Sequence, residues 1–249
     1  MKAESRVGEV MVSIPEPVRR VVRQQAGFGC CRCGLPIYEY HHIVKNSRNP
    51  NEIMLLCPNH HHEATVGAMN EEEQRLWKDK PDNLRRGFVH GKLKINQEKP
   101  HIVMGSTIFV GEGRIICVDQ EALVSLRLDE NYGLQLSVRL YDKNDNLVAE
   151  IENNEWITGD PLPWDLEAGF QTLRIRRRIG DISLDINARR SPIELHADIW
   201  RKGQNYKISQ TALFVNGVVV QASIIGGTIE GLCLNIDTSR RDFSVIPRS

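Results

Sequence analysis

The organisation of this protein is decided by residues 30–62, which read CCRCGLPIYEYHHIVKNSRNPNEIMLLCPNHHH. Four of the six cysteines and five of the eight histidines of the chain lie in this stretch. In a cytoplasm that keeps thiols reduced, clustered cysteines are metal ligands or catalytic groups more often than disulfides. The stretch therefore predicts a metal-binding module.

The spacing of the ligand-type residues predicts a structural zinc site. Cys30 and Cys33 form one pair, and Cys57 and His60 form a second pair with the same two-residue gap. Three thiolates and one imidazole suit a closed tetrahedral zinc site, and a module of this size has too small a core to be stable without such a metal. Cys31 competes with Cys30, but the two-residue gap to Cys33 favours Cys30.

Helix signals surround the metal module. The segment from Pro17 to Gly27 has valines at helical spacing and predicts a short amphipathic helix. Pro58 after Cys57 marks the start of a second helix, and Asn70 predicts the N-cap of a third. The polar face of the first helix carries three arginines, which are candidates for contacting nucleic-acid phosphates or are simply solvated. They are Arg19, Arg20 and Arg23.

Beyond about residue 95 the chain consists of β-branched and alternating segments separated by Gly, Asn and Asp. KNDN at residues 143–146 and the Asn216-Gly217 pair predict hairpin turns. We therefore expect an α+β multidomain protein, with a small N-terminal domain over residues 1–95 and an all-β domain, a sandwich or a β-solenoid, over residues 96–249. Two isolated cysteines among apolar neighbours, Cys117 and Cys233, are predicted to be buried thiols.

The charge of the chain is zero overall but uneven. Lys+Arg and Asp+Glu both number 32. Residues 1–100 hold 16 basic and 12 acidic side chains, so their net charge is 16 − 12 = +4, and the remainder carries 16 − 20 = −4. No stretch approaches the roughly 18 apolar residues of a membrane span, and no apolar run follows Lys2 at the N-terminus, so we expect a cytoplasmic protein without a membrane partner.

A second group of arginines lies in the β region, in the stretch LRIRRRI. Strand alternation puts three arginines on one face and three apolar residues on the other, with Arg177 as the exception. The three arginines are candidates for contacting a phosphate backbone, or they form a solvated sheet face that discourages edge pairing. They are Arg174, Arg176 and Arg178, opposite Leu173, Ile175 and Ile179.

One run of the sequence consists of Cys-x-x-Cys-Gly, then YHHIV, a polar loop and IMLLCPNHH. It is similar to the zinc-bearing branch of the HNH endonucleases. The resemblance covers about residues 17–65 and does not extend to the β region. It implies a zinc-stapled ββα-metal domain that hydrolyses phosphodiester bonds. By position it implies that His41 and His61 hold a catalytic divalent metal and that His42 is the general base. Mg²⁺ or Mn²⁺ is the expected ion, with Zn²⁺ or Ni²⁺ as alternatives.

The histidine roles are chemically reasonable without the resemblance. Adjacent residues on a strand point to opposite faces, so one of His41 and His42 can bind a metal while the other faces substrate. His61 lies in the first turn of the helix that starts near Pro58. Consecutive helical histidines point in different directions, so His62 is predicted to be a surface residue and not a further ligand.

The central position of the resemblance departs from the family pattern. In the family an Asn usually lies five residues before the cysteine of the second ligand pair. That cysteine is Cys57 here, and the position five residues before it is Glu52. Asn51 is one place early, and we expect it to orient the strand that carries His42; if Glu52 takes the position instead, activity is in doubt. Asn46 and Asn49 are lesser candidates.

The resemblance implies a metal-dependent DNA endonuclease, of the kind found in restriction, phage defence or mobile elements. An RNA substrate is not separated from DNA by the sequence. The β domain would recognise a target, bind an effector or partner protein, or assemble a homo-oligomer. The alternative is a non-catalytic zinc-stapled module that binds nucleic acid or protein, with the β domain as an interaction platform.

Overall fold

The structure is a computed structural model, and it describes residues 13–90, 93–94, 99–130, 133–157, 164–220 and 227–247. The fold is mixed, with short helices near the N-terminus and many strands after them. The helices are α1 (Glu16–Gln25), α2 (Pro58–Thr65), α3 (Glu71–Asp79) and α4 (Asp82–Arg86).

The helix boundaries confirm the local signals. In α1, Pro17 lies in the first turn, where a missing N–H costs nothing. Cys57 is the N-cap residue of α2, which begins at Pro58. The side chain of Asn70 accepts a hydrogen bond from the backbone N–H of Glu73 at 2.9 Å, which satisfies an otherwise unpaired donor at the start of α3.

A two-stranded sheet lies between α1 and α2. Its strands are β1 (Glu39–His42) and β2 (Ile53–Leu56), which pair antiparallel with His41 opposite Met54. A 3-10 turn, Pro50–Glu52, leads into β2. All four residues of β2 are buried, and β1, α1 and α2 pack against this strand.

The other strands all belong to two large sheets. The nine-stranded sheet contains β3 (Phe88–His90), β4 (Leu93–Lys94), β7 (Gly113–Val118), β8 (Glu121–Leu128), β9 (Gly133–Tyr141), β10 (Leu147–Glu152), β11 (Glu155–Ile157), β20 (Leu232–Asp237) and β21 (Asp242–Pro247). Its order is β21-β20-β7-β8-β9-β10-β11-β3, with β4 also paired to β9.

The ten-stranded sheet contains β5 (His101–Met104), β6 (Thr107–Val110), β12 (Asp165–Ala168), β13 (Thr172–Arg178), β14 (Asp181–Asn187), β15 (Ile193–Arg201), β16 (Gln204–Ile208), β17 (Leu213–Val215), β18 (Val218–Val220) and β19 (Gly227–Glu230). Strands β12 to β18 follow one another in chain order, and β5, β6 and β19 join through β15. Neighbours are antiparallel except β5 with β15, β6 with β19 and β7 with β20.

Both predicted hairpin turns are present. Residues 143–146 connect β9 to β10, and the backbone N–H of Asp142 donates to the carbonyl of Asn146 at 2.9 Å. Asn216 and Gly217 connect β17 to β18 with positive φ angles of 49° and 80°. Two consecutive positive φ angles twist the turn in the sense that matches the strands, which is why Asn-Gly is favoured there.

Two separate apolar cores hold these elements. The smaller core surrounds β2 and includes Val22, Ala26 and Met69. The larger core lies between the two big sheets, and it also takes in Phe28, which is 1% exposed although it belongs to the turn after α1. Cys117 and Cys233 are buried as predicted, and their sulfur atoms lie 3.1 Å apart between β7 and β20.

The nine-stranded sheet begins before the boundary expected near residue 95. Strand β3 pairs with β11, with Trp156 opposite Val89, and β4 pairs with β9. The residues on either side of the expected boundary, 95–98, lie outside the described part of the chain. The end of the N-terminal segment is thus built into the nine-stranded sheet.

Candidate functional site

The two cysteine pairs converge on one point next to β2. Cys30 and Cys33 lie on the turn after α1, and Cys57 and His60 lie at the start of α2. Nδ1 of His60 is 3.3 Å from Sγ of both Cys30 and Cys57, and Sγ of Cys33 is 3.9 Å from Sγ of Cys57. All four ligand atoms lie within 4.8 Å of one another, so this cluster could hold a metal ion.

The structure also decides between the two adjacent cysteines. A hydrogen bond from the thiol of Cys33 lowers the pKa of Cys30 to about 4, against the opposing effect of burial. Burial raises the pKa of Cys31 to about 11, and Cys31 is not in the ligand cluster. The cluster geometry therefore favours Cys30 as the ligand, while Cys31 packs as a protonated thiol in the small core.

The first knuckle turn depends on a buried asparagine from α4. Nδ2 of Asn83 donates to the carbonyls of Gly27 and Gly34, at 3.0 Å and 2.9 Å. Gly34 has a φ of 74°, and a Cβ there would be 2.2 Å from Oδ1 of Asn83. A side chain at residue 34 would displace Asn83 and open the turn that carries Cys30 and Cys33.

His41 and His61 lie side by side, on the face of β1 that meets α2. Their ring centroids are 5.2 Å apart in an edge-to-face arrangement. Nδ1 of His61 is 3.1 Å from Oε2 of Glu39, which is two residues before His41 and so points to the same face of β1. Nε2 of His41 is 3.2 Å from Oε1 of Gln74 on α3.

This histidine pair has the donor chemistry of a divalent-metal site but is less compact than the cysteine cluster. Each ring has one nitrogen engaged by an oxygen and a second nitrogen left over. Burial and the neighbouring His61 lower the pKa of His41, so the ring is neutral at physiological pH, the form that binds metals. Among the described residues, however, no set of three His, Cys, Asp or Glu ligand atoms that includes this pair lies within 4.8 Å of one another.

His42 is the next residue on β1, where it is paired with Ile53. Its Nε2 atom is shielded from solvent and has no hydrogen-bond partner in the protein. A buried polar atom without a partner is uncommon in folded proteins and calls for an explanation, of which a catalytic role is one.

Neither candidate for the central position contacts His42 through its side chain. Oδ1 of Asn51 accepts a hydrogen bond from Nε2 of Gln25 on α1 at 2.9 Å. The carboxylate of Glu52 accepts from the hydroxyl of Ser47 at 2.5 Å, which closes the loop before β2. The backbone carbonyl of Glu52 accepts the N–H of the residue after His42 at 2.9 Å, so Glu52 fixes the end of β1 through its main chain.

The two lesser candidates shape the same loop. The side chain of Asn49 accepts a hydrogen bond from the N–H of Asn51 at 3.1 Å and caps the 3-10 turn. Asn46 has a φ of 60°, a conformation that asparagine tolerates better than most residues. Both residues therefore have a local structural role.

The structure corrects the expected exposure of one arginine of α1. Arg23 is only 2% exposed, and its guanidinium donates to both carboxylate oxygens of Asp165 on β12, at 2.8 Å and 2.7 Å. It also donates to the hydroxyl of Tyr40 at 2.7 Å. Arg23 is therefore not available to a nucleic acid and instead joins α1 to the ten-stranded sheet.

The other two arginines of α1 reach solvent. The guanidinium of Arg19 lies 5.3 Å from the ring centroid of Tyr40, and that of Arg20 lies 4.3 Å from the ring centroid of Trp164. These contacts hold the side chains in place and leave their charges without a carboxylate partner among the described residues.

The arginines of β13 do not form a free cationic row. Arg174 binds Asp185 at 2.6 Å, Arg176 binds Asp165 at 2.9 Å and also Glu167, and Arg178, which is 80% exposed, binds Asp181 at 3.2 Å. Two bulges interrupt the alternation of β13, and Ile179 is 77% exposed and not on the core face. Carboxylates neutralise this strand, which matches a structural sheet face better than a phosphate-binding one.

Three side chains of the site were missed by the sequence analysis. Glu39, Gln74 and Asp165 contact His61, His41 and Arg23 respectively. Only Glu39 could have been found, since its two-residue distance from His41 puts both on one face of a strand. Gln74 and Asp165 reach the site through tertiary packing.

Among the described residues, no helix has the length and apolar character that crossing a membrane requires. No protein-family model, no curated protein and no solved structure matches this chain.

Proposed function

We propose that this protein is a metal-dependent endonuclease of the HNH type that hydrolyses phosphodiester bonds of DNA. The observation that carries the proposal is the close approach of His41 on β1 and His61 on α2, whose ring centroids are 5.2 Å apart, beside the Cys30, Cys33, Cys57 and His60 cluster. An antiparallel pair of strands followed by a helix is the order of elements that a ββα-metal motif requires.

The cysteine cluster is proposed to hold a structural zinc ion. Its three thiols and one imidazole are the donors that zinc favours, and they supply all four ligands of a tetrahedral site. Such a site closes the turn after α1 onto the start of α2 and so fixes His61 relative to β1. Thiolate ligands need a reducing compartment, which supports a cytoplasmic location.

In the proposed reaction the chain's own residues have separate tasks. His41 and His61 would hold a divalent ion, Mg²⁺ or Mn²⁺ in the first instance, which when bound supplies charge stabilisation to a phosphodiester undergoing hydrolysis. His42 would take the proton of the attacking water; its Nε2 has no hydrogen-bond partner among the described residues but is shielded from solvent, so this role requires water to reach the ring. Asn51 and the main chain of Glu52 would hold the loop that ends β1.

Nucleic-acid contact is assigned to Arg19 and Arg20. Both lie on α1 without a carboxylate partner in the described part of the chain, and residues 1–100 have a net charge of +4. We infer that the β region is a sandwich and not a solenoid, because its strands pair mostly antiparallel over one shared core. Target recognition, partner binding or oligomer formation is proposed for this region.

One observation favours a second candidate function, a non-catalytic zinc-stapled binding module. Among the described residues, His41 and His61 belong to no set of three His, Cys, Asp or Glu ligand atoms within 4.8 Å of one another, and Asn51 bonds to Gln25 and not to His42. Under this candidate the chain binds nucleic acid or protein without cutting it.

The test compares two histidine variants on supercoiled plasmid DNA with Mg²⁺ or Mn²⁺. His42→Ala should lower the cleavage rate by about 10²–10⁴-fold, the usual contribution of a general base. His62→Ala changes an exposed histidine of α2 and should leave the rate unchanged. One tightly bound zinc per chain in both variants shows that the fold survives.

Full activity of the His42 variant would contradict the nuclease assignment. Absence of cleavage of supercoiled, linear and single-stranded DNA by the wild-type chain with every divalent metal would favour the binding module. Cleavage of RNA alone would keep the mechanism and change the substrate.

A further inference from the structure

Gln74 on α3 is a buried polar residue with two defined partners. Its side chain is 7% exposed. Its Nε2 donates to the backbone carbonyl of Met69 at 3.0 Å, and its Oε1 lies 3.2 Å from Nε2 of His41. The carboxamide thus connects the main chain before α3 to His41, one member of the His41–His61 pair.

The Met69 carbonyl fixes which way the carboxamide faces. A carbonyl oxygen only accepts hydrogen bonds, so the amide nitrogen of Gln74 must point to Met69. The amide oxygen then points to His41, and it too can only accept. In the neutral imidazole one nitrogen carries the proton and the other a lone pair. His41 must therefore carry its proton on Nε2 and its lone pair on Nδ1.

The same reasoning gives His61 the opposite arrangement. Oε2 of Glu39 accepts from Nδ1 of His61 at 3.1 Å, which leaves the lone pair on Nε2. The carboxylate of Glu39 is 54% exposed and exchanges with water, whereas Gln74 is buried and held at both ends. Gln74 is consequently the stronger of the two constraints on the pair.

We propose that Gln74 is a positioning residue that holds His41 in its Nε2–H form and thereby presents Nδ1 to the catalytic metal. The inference rests on the proposed function, since it concerns the same histidine pair. Metal-binding histidines commonly donate their second N–H to an oxygen of the protein, and loss of that oxygen typically lowers metal affinity about 10–100-fold.

The first experiment measures the tautomer of His41 directly in the wild-type chain. The protein carries its structural zinc and no added divalent metal, and side-chain ¹⁵N–¹H correlation spectra are recorded at pH 7.5, with His41→Gln used to assign the signals. The expected pattern is Nε2–H for His41. A dominant Nδ1–H pattern overturns the proposal, and no variant that fails to fold can obscure this result.

The second experiment measures the affinity for Mn²⁺ in two variants at residue 74. Gln74→Met keeps the length of the side chain but has no oxygen, so the Nε2–H preference should disappear and the Mn²⁺ affinity should fall about 10–100-fold. Gln74→Glu keeps an oxygen that can accept from Nε2–H of His41 but lacks the donor to the Met69 carbonyl, so it should retain the tautomer and lose less Mn²⁺ affinity than Gln74→Met. Glu72→Met, at an exposed position of the same helix, is the matched control and should change neither.

Unchanged Mn²⁺ affinity in the Gln74→Met variant overturns the proposal, as does equal loss in the Met and Glu variants. The two proposals fail separately. An Nε2–H His41 with Gln74-dependent Mn²⁺ binding but no cleavage of nucleic acid would end the nuclease assignment and leave the role of Gln74 intact. Cleavage that depends on His42 with a His41 tautomer indifferent to residue 74 would do the reverse.

Discussion

The region around the cysteine cluster and the region of the two large sheets are stabilised by different means. The first has a small apolar core around β2, together with the four-residue cluster that could hold a metal ion, the Asn83 hydrogen bonds and the Arg23–Asp165 ion pair. The second has one extended apolar core to which strands of both sheets contribute. Because the core of the first region is small, polar contacts have to fix the positions of its elements. The candidate catalytic groups lie in this region.

The largest expected effect is that of losing the cluster ligands. Structural zinc contributes an apparent binding free energy of about 10–16 kcal/mol in small zinc modules. Cys57→Ser should therefore abolish the order of residues 16–65 while the sheets remain folded, as measured by loss of the corresponding amide signals in ¹H–¹⁵N spectra. Cys31→Ala, which removes a buried thiol outside the cluster, should retain one metal per chain. Loss of metal in both variants would mean that Cys31 is a ligand.

The next effect concerns the ion pair that joins the two regions. Arg23→Met leaves Asp165, which is 2% exposed, paired with Arg176 alone, so the loss should approach but not exceed the roughly 3–5 kcal/mol typical of leaving a buried charge uncompensated. Urea unfolding should show this loss. Arg178→Met removes an 80% exposed partner of Asp181 and should change stability by less than about 1 kcal/mol. Equal effects of the two changes would show that burial of Arg23 is not maintained in solution.

A change in the larger core should affect the sheets and spare the metal. Leu184 on β14 is fully buried, and truncating a buried leucine to alanine costs about 2–5 kcal/mol. Leu184→Ala should lower the urea midpoint with zinc content unchanged at one ion per chain. Release of zinc at the same urea concentration as sheet unfolding would indicate that the two regions unfold together.

The smallest effect belongs to the cap of α3. Asn70→Ala removes the side-chain acceptor of the Glu73 N–H and should cost about 1 kcal/mol. Because α3 carries Gln74, this local loss should also broaden the His41 signals, whereas Asn70→Asp keeps an acceptor and should restore both stability and signals. Failure of Asp to restore them would show that the cap is not the cause.

The sequence was sufficient where the interactions are local. Three such pairs have members three positions apart, so their spacing alone brings them together. They are Cys30 with Cys33, Cys57 with His60 and Asn70 with Glu73. Asn216-Gly217 likewise determines its own turn.

Long-range partners were beyond the sequence. Arg23 looked like a solvated helix residue because helical periodicity does not reveal Asp165, 142 positions away. Gln74 is 33 positions from His41, and nothing in its neighbourhood in sequence marks it. The choice of Cys30 over Cys31 was inferred from spacing and agrees with the cluster, which contains Cys30 and not Cys31 although both are fully buried.

Phe28 makes the metal module dependent on its neighbour. This residue lies two positions before Cys30 yet is buried in the core of the large sheets, and β3 is hydrogen-bonded to β11. A fragment ending at residue 95 would expose an aromatic ring and leave a strand edge unpaired, so it should aggregate when expressed alone. Residues 1–95 should therefore not fold as an independent domain. Transferring them to another protein would also require transferring the strands that cover Phe28.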